Sequence, residues 1–436
     1  MSKTKGFAVT GNPILHSKSP WIFNTLFKSH SECAVFNRLA ATTPIEAVQL
    51  FKQMELHGMT VTAPFKEEIG ACLDSVDKAA TAIGGVNTIV KHNNGLKGYN
   101  TDYIGVVQSL KKRHIQIKNT RSLVLGAGGA GRSAAYGLIE EGADVTIVNR
   151  TFSKADQVAD RLGCRTGKIE NLNSLLQSSD ILISTLPADV NLIHPGWLKK
   201  GLVILDANYK RSGLKPVAIK KGCIFIDGED WLIQQAIPAY QHFCGYKPDD
   251  SVLESTGITH NNLGINQKKI FIVGFMGSGK STIGRLLAKK MDFSFLDTDE
   301  IIQEKQGESI PAIFEGRGET YFRQREKSVL QELRNQQSIV CSCGGGAVID
   351  SENRDILRDN SLVVWLFAPT SICIQRFPQG TRPLLEGGNL RKNSGKIFQE
   401  RFLHYATVAD LIVNSHQDKE IIVDKIYEEI TKTFSY

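Results

Sequence analysis

Lys280 and Ser281 close the run GFMGSGKS, in which Gly274 and Gly279 bracket four residues ahead of a cation and a hydroxyl. A short apolar run, Ile270 to Val273, precedes it and an amphipathic segment follows. Strand, glycine-rich turn and helix in that order make a phosphate cradle. Backbone N–H groups at Gly277, Ser278 and Gly279 can wrap phosphates, Lys280 reaches the terminal ones, and the Ser281 hydroxyl, with Thr282 after it, is directed at Mg²⁺. A second glycine pattern stands earlier, in LVLGAGGAGR. There Gly126, Gly128 and Gly131, interleaved with Ala127, Gly129 and Ala130, follow a strand and open a helix, as a pyrophosphate-binding turn requires. A site selective for a free ribose 2′-hydroxyl places a carboxylate at the end of the next strand, whereas this chain has Asn149, Arg150 and Thr151. A guanidinium and two small polar groups suit the 2′-phosphate of NADP instead.

Other polar residues fall at spacings that bear on chemistry. Ser17 and Ser19 stand two apart, and an extended backbone there would point both hydroxyls to one side. VTAPFK sets Thr62 and Lys66 around a proline, GGVNTI supplies Asn87, and GYNTD supplies Asn100 and Asp102. FLDTDE puts Asp297 and Asp299 two apart at a strand end, and Arg323, Glu326, the triplet Gly344, Gly345 and Gly346, and Arg382 follow in order. Taken one at a time these are turn, cap or surface residues. From Arg376 to Arg401 six basic residues face two acidic ones in a glycine- and asparagine-containing stretch, part of which reads as a lid closing over nucleotide.

The elements that must position these groups follow the βαβ rhythm of a parallel sheet. Apolar runs at Ser122 to Leu125, Val145 to Val148, Ile181 to Ser184, Val203 to Leu205 and Cys223 to Ile226 alternate with amphipathic segments. After a polar stretch over 245–267, which reads as a linker, a second α/β pattern runs to the C-terminus. The expected fold class is α/β: a substrate domain over 1–100, a Rossmann nucleotide domain over 101–230, a helix over 231–244 packing back on the substrate domain, and a P-loop domain of nucleoside-monophosphate-kinase type over 268–436. Cutting near Asn262 is expected to leave two independently folded parts.

The 436 residues, 41% hydrophobic and 22% charged, suffice for several cores, and a net charge of +7 without a basic run gives no reason to expect nucleic acid. No apolar stretch suits a bilayer or a signal peptide, so a cytoplasmic location away from membranes is expected. Eight cysteines without a C-x-x-C pair argue against a disulfide framework or a zinc site, and Cys341 and Cys343 read as core.

In their joint order, Ser17, Ser19, Thr62, Lys66, Asn87 and Asp102 resemble the shikimate dehydrogenase family over about 5–245. The resemblance implies that Ser17 and Ser19 hold the substrate carboxylate, that Thr62, Asn87 and Gln235 hold ring hydroxyls, and that Lys66 and Asp102 form the catalytic pair. It would leave Tyr209 as a further substrate-side contact. Trp231 stands where the family usually has Met, and STLPAD and NYKRSGLK also depart from the pattern. Asp297, Asp299, Arg323, the glycine triplet and Arg382 likewise resemble shikimate kinase over about 268–430. That likeness implies Asp299 at the acceptor hydroxyls as proton acceptor, Asp297 reaching Mg²⁺ through water, and Arg323 and Arg401 on the carboxylate. Gly345 and Gly346 would lie against the ring, with Arg376 and Arg382 at ATP. The implied cofactors are NADP(H) and ATP with Mg²⁺, and the implied ligands are 3-dehydroshikimate and shikimate. A dehydrogenase half preferring quinate or NAD, and a half retained only as a nucleotide-sensing module, are the competing readings.

Overall fold

The computed structural model describes residues 4–187, 190–208, 212–256, 268–376 and 390–434. They group into two compact units, Met1–Met59 with Thr259–Tyr436, and Thr60–Ile258. The chain passes between the units twice, after Met59, inside the N-terminal α/β region, and after Ile258, inside the polar stretch 245–267, where Ser251–Thr256 is helical and 257–267 lies outside the described residues.

In the first unit the strands run in the order Ser294–Asp297, Ile339–Ser342, Lys269–Val273, Leu362–Phe367, Leu411–Asn414, Ala34–Ala40 and Lys5–Gly11. All of these neighbours are parallel. The strands of the C-terminal half are short continuous apolar runs because helices cover both faces, and Leu362–Phe367 is buried along its whole length. Leu411–Asn414 would by itself end that sheet with a row of unpaired peptide groups. Ala34–Ala40 covers it, with Ile412 opposite Leu39 and Val413 opposite Ala40. This pairing is why the first 59 residues group with the C-terminal half.

The second unit carries a six-stranded parallel sheet in the order Ile224–Ile226, Val203–Asp206, Ile181–Ser184, Arg121–Leu125, Asp144–Val148, Arg165–Gly167. Counted from its first strand this is the doubly wound 3-2-1-4-5-6 order, whose ligand crevice lies where the order reverses. Side chains alternate between two cores. Val124, Ile181 and Ile183 face one that includes Val106, Leu110, Ala134 and Leu138, while Leu123, Leu125 and Leu182 face the other, with Leu172, Leu176 and Ala218. The unit also holds the antiparallel pair Thr88–His92 and Gly95–Tyr99, and the helix Gly228–Cys244. That helix lies so close to the helix Asp102–Lys112 that a Cβ on Gly105 would come within 2.7 Å of Trp231 and 2.8 Å of Gln235. No helix among the described residues is long and apolar enough to cross a membrane, and all eight cysteines are free thiols.

Candidate active sites

Lys66 and Asp102 meet in the second unit, the ammonium donating to Asp102 Oδ2 at 2.6 Å. Lys66 sits in the turn that Thr62 opens, where Phe65 N–H bonds the Thr62 carbonyl at 3.1 Å. Asp102 begins its helix, with its own N–H held by Asn100 Oδ1 at 3.0 Å. The other carboxylate oxygen accepts from Asn87 Nδ2 at 2.9 Å, and Asn87 Oδ1 in turn accepts from Thr101 N–H at 2.8 Å. Asn87 Nδ2 also reaches Gln235 Oε1 at 3.3 Å, so the helix Gly228–Cys244 brings Gln235 to the same cluster. Trp231 donates its indole N–H to the Asp102 carbonyl at 2.9 Å. The large residue is thus buried against the start of the Asp102 helix and fixes it. Lys66 keeps about a quarter of its side chain open to solvent.

The glycine turn Gly126 to Gly131 lies in the same unit. A Cβ on Gly131 would come within 1.9 Å of the Gly126 carbonyl oxygen, which is the close helix-to-turn approach the motif needs, whereas Gly128 and Gly129 face open space. Beside them a cavity of about 460 Å³ is lined by Ala127, Gly128, Asn149, Arg150 and Thr151, together with Arg132, Lys154 and Glu67. Asn149 Oδ1 accepts from Ala127 N–H at 3.3 Å and its amide donates to the Thr151 carbonyl at 3.0 Å, which ties the turn to the strand end. Ala130 lies in the first turn of the helix Gly129–Glu140, whose free N–H groups suit a pyrophosphate. Lys154 and Arg132 escaped the sequence reading. Lys154 follows Arg150 by four residues, a spacing that could have found it. Arg132 pairs with Glu67 at 2.8 Å, a contact made by folding alone. Cationic lining with open glycines fits a 2′-phosphorylated dinucleotide.

A further cavity of about 290 Å³ at the ends of Ile181–Ser184 and Val203–Asp206 is lined by Leu186, Pro187, Asn208 and Gly213. These are the segments that depart from the family pattern. Tyr209 lies outside the described residues.

In the first unit Ser17 and Ser19 converge, Oγ to Oγ at 3.3 Å, and both are buried. The extended backbone expected between them is absent. Lys18 is in the right-handed helical region as the cap of the helix Ser19–Ser29, and the hydroxyls meet because the chain turns there.

The P-loop turns as its spacing requires, with Gly279 at φ 89° capping the helix Lys280–Met291. Lys280 Nζ donates to the Phe275 carbonyl at 3.1 Å, which folds the side chain back over the loop. Ser278 is buried, Gly277 is at positive φ, and Thr282 is exposed one residue beyond Ser281. Ser281 Oγ donates to Asp297 Oδ2 at 2.7 Å, and the other Asp297 oxygen accepts from Asp299 N–H at 3.0 Å. One hydroxyl beside one carboxylate fits Mg²⁺, which takes few protein ligands and completes its shell with phosphate oxygens and water. Among the described residues no cluster of three or more His, Cys, Asp or Glu offers a denser cage.

Beyond the loop a pocket is lined by Asp299, Arg323, Glu326, the glycines 344–346 and Arg401, with an apolar wall of Ile310, Phe314 and Phe322. The wall forms because Gly318, at φ 79° and ψ 168°, kinks the helical stretch Ile310–Leu333 and lets Phe314 and Phe322 meet at 4.9 Å. The sequence reading missed it, since a glycine inside an amphipathic run looks like a tolerated defect. Arg323 pairs with Glu326 at 2.8 Å and Glu319 at 3.0 Å. Burial pushes the Glu326 carboxyl above its usual range, with the Arg323 guanidinium opposing the shift. A Cβ on Gly346 would lie 2.3 Å from both Arg323 terminal nitrogens, so only glycine leaves the fork its place. Arg401 donates to the Gly345 carbonyl at 3.1 Å. Arg376 is exposed and donates to the Ser415 carbonyl at 3.0 Å. Arg382 and the rest of 377–389, the heart of the expected lid, lie outside the described residues, whereas Leu390–Val408 is a helix.

Comparison with known proteins divides the chain in sequence order, where the compact units instead join residues 1–59 to the C-terminal half. The family model for the shikimate dehydrogenase substrate binding domain matches residues 9–89, that for shikimate / quinate 5-dehydrogenase 108–208, and that for shikimate kinase 276–431. A shikimate dehydrogenase (NADP(+)) of Pyrococcus furiosus is 34% identical over 59% of this chain and 96% of its own length. A shikimate kinase of Nitrosomonas europaea is 39% identical over 38% of this chain and 79% of its own. Among solved structures, the shikimate dehydrogenase of Aquifex aeolicus aligns with a TM-score of 0.56 at 34% identity, covering 59% of this chain and 98% of that one. The Thermus thermophilus enzyme in complex with NADP(H) and shikimate aligns at 0.54 and 28% identity, covering 58% and 98%. The chain is therefore a bifunctional enzyme of the shikimate pathway, belonging to the NADP-dependent shikimate dehydrogenases through its N-terminal half and to the ATP- and Mg²⁺-dependent shikimate kinases through its C-terminal half.

Proposed function

We propose that the protein reduces 3-dehydroshikimate to shikimate with NADPH and then phosphorylates shikimate at its 3-hydroxyl with ATP. The observation that carries this reading is the Lys66 and Asp102 pair at 2.6 Å, present in the same chain as a pocket of Asp299, Arg323 and Arg401. One pair suits a carbonyl becoming an alcohol. The other set suits an alcohol attacking a phosphoryl group on a molecule that carries a carboxylate.

In the first reaction the dinucleotide, when bound, supplies hydride. As charge develops on the ring oxygen, Lys66 stabilises it and gives up a proton from Nζ, while Asp102 aims the ammonium. Asn87 and Trp231 hold Asp102 so that it cannot turn away. Thr62, Asn87 and Gln235 hold ring hydroxyls, and Ser17 and Ser19 take the carboxylate. Arg150, with Lys154 and Arg132, selects the 2′-phosphate.

In the second, ATP with Mg²⁺ supplies the phosphoryl group. Asp299 accepts the proton of the attacking hydroxyl, and Lys280 meets charge on the terminal phosphates. Ser281 directly and Asp297 through water are the residues that would hold the metal. Arg323 and Arg401 orient the shikimate carboxylate as guanidinium forks, against the backbone at Gly345 and Gly346. Free thiols throughout suit a reducing compartment, and we place the protein in the cytoplasm, acting on small molecules.

The test is to incubate the pure protein with 3-dehydroshikimate, NADPH, ATP and Mg²⁺ and to identify products by mass spectrometry, with NADH replacing NADPH in one parallel and with quinate plus NAD⁺ or NADP⁺, in the oxidising direction, in another. Shikimate 3-phosphate is expected, with shikimate accumulating when ATP is withheld. Absence of either product would remove the corresponding half of the proposal.

A further inference from the structure

The run GNPILHSKSP, which carries Ser17 and Ser19, is held by residues from the opposite end of the chain. Glu429, in the C-terminal helix Lys419–Phe434, is 2% exposed, and its Oε2 accepts from Ile14 N–H at 2.7 Å and Leu15 N–H at 2.8 Å. Both donors belong to fully buried residues. A buried peptide N–H without a partner is strongly disfavoured, so this carboxylate determines where the loop can lie. Ser17 is fixed on both sides. Its N–H bonds the Ile14 carbonyl at 2.9 Å, and its carbonyl accepts two bonds, at 3.0 and 2.8 Å, from the Arg38 guanidinium. A third Arg38 nitrogen reaches the Asp410 carbonyl at 3.3 Å, just ahead of the strand Leu411–Asn414. Thus each peptide group of Ser17 is linked through one intervening residue, Ile14 or Arg38, to a residue of the kinase half.

The surroundings make this a built interface. Lys425, one turn before Glu429, donates to the buried Glu46 at 3.1 Å, and Glu46 also accepts from Asn414, Gln417 and Thr42. Burial alone would raise the Glu46 carboxyl, but the Lys425 ammonium and these hydrogen bonds hold it below its usual value. Asn37 donates to the Ala406 carbonyl at 2.7 Å. The helix Lys419–Phe434 begins inside the shikimate kinase match, 276–431, and lies outside the two dehydrogenase matches, 9–89 and 108–208.

We propose that the C-terminal strand and helix of the kinase half form part of the dehydrogenase substrate site, with Glu429 and Arg38 as positioning residues that set the Ser17 and Ser19 hydroxyls for the substrate carboxylate. This rests on the assignment of that loop to the carboxylate. The dehydrogenase half then depends on the kinase half for substrate affinity, while its cofactor site does not.

The experiment uses the full chain and measures KM and kcat for shikimate oxidation, KM for NADP, and kinase rates. Ser17→Ala is expected to raise KM for shikimate about 10-fold or more, as for loss of a hydrogen bond to a charged group. Glu429→Ala is expected to raise it about 5- to 20-fold, with NADP KM and kinase rates within about twofold, and Glu429→Gln, which keeps an acceptor oxygen, to recover most of the loss. Arg38→Lys, a milder change that removes the fork, is expected to raise it about 3- to 10-fold. If Ser17→Ala leaves KM unchanged, the carboxylate assignment falls and the inference with it. If Ser17→Ala raises KM but Glu429→Ala does not, the inference alone is overturned. Should Glu429→Ala abolish both reactions, Arg38→Lys decides: an unchanged shikimate KM there overturns the inference.

Discussion

The two nucleotide loops solve one geometric problem and differ in where they keep charge. Each turns a buried parallel strand into a helix whose free N–H groups face a phosphate. From Gly126 to Gly131 the first has no ionisable side chain, and its cations, Arg132, Arg150 and Lys154, stand beside it. The second carries Lys280 and Ser281 in the loop itself, with Ser281 bonded to Asp297. Hydride transfer leaves the cofactor's phosphates intact, so the first loop need only hold them. Phosphoryl transfer breaks a bond there, so the second must bring charge to the reacting atoms.

That contrast can be tested by where a substitution stops chemistry. Lys66→Ala, far from either loop in sequence, is expected to lower the dehydrogenase kcat by about 10² to 10⁴, the span for a lost general acid, with NADPH binding little changed. A direct fluorescence titration of NADPH against the kinetic loss checks this. A near-normal rate would show that the Lys66 and Asp102 pair is structural. Lys280→Ala should lower phosphoryl transfer by about 10² to 10³, the scale of one electrostatic donor at a transition state, and leave reduction untouched. Loss of both reactions would mean that the loop supports the fold beyond its own site.

Smaller effects are expected where a loop only holds. Gly131→Ala forces a Cβ into the Gly126 carbonyl, and the overpacking of about 1–3 kcal/mol should appear as weaker binding of NADPH and NADH alike. Calorimetry with both cofactors distinguishes this from a charge effect. Arg150→Ala should weaken NADPH by about tenfold, the low end for a charged hydrogen bond because Arg150 is exposed, and leave NADH unchanged. Equal weakening of both would move the 2′-phosphate contact to Lys154 or Arg132.

Both loops were legible because their geometry is local: glycines at fixed offsets between a strand and a helix can do little else. The Lys66 and Asp102 pair was legible only as a family resemblance, since nothing in 35 intervening residues dictates that a turn and a helix start should meet at 2.6 Å. Trp231 shows the limit from the other side. It looked like a departure from pattern, and in the structure it is a hydrogen-bond donor that fixes the Asp102 helix. The apolar wall of Phe314 and Phe322 depends on the backbone of Gly318, which composition does not reveal.

By itself the sequence determined the α/β class, the two nucleotide turns and the succession of two families along the chain, because each depends on contacts within a few tens of residues. Only the tertiary structure decided which pieces share a unit. The polar stretch over 245–267 reads as a boundary, yet the strand Ala34–Ala40 pairs with Leu411–Asn414, and Glu429 satisfies peptide groups 415 and 414 residues away in the chain. An uncovered sheet edge and a buried N–H both demand partners, but neither demand is addressed to a particular residue. Which partner answers is fixed when the chain folds back on itself, and no local pattern records it.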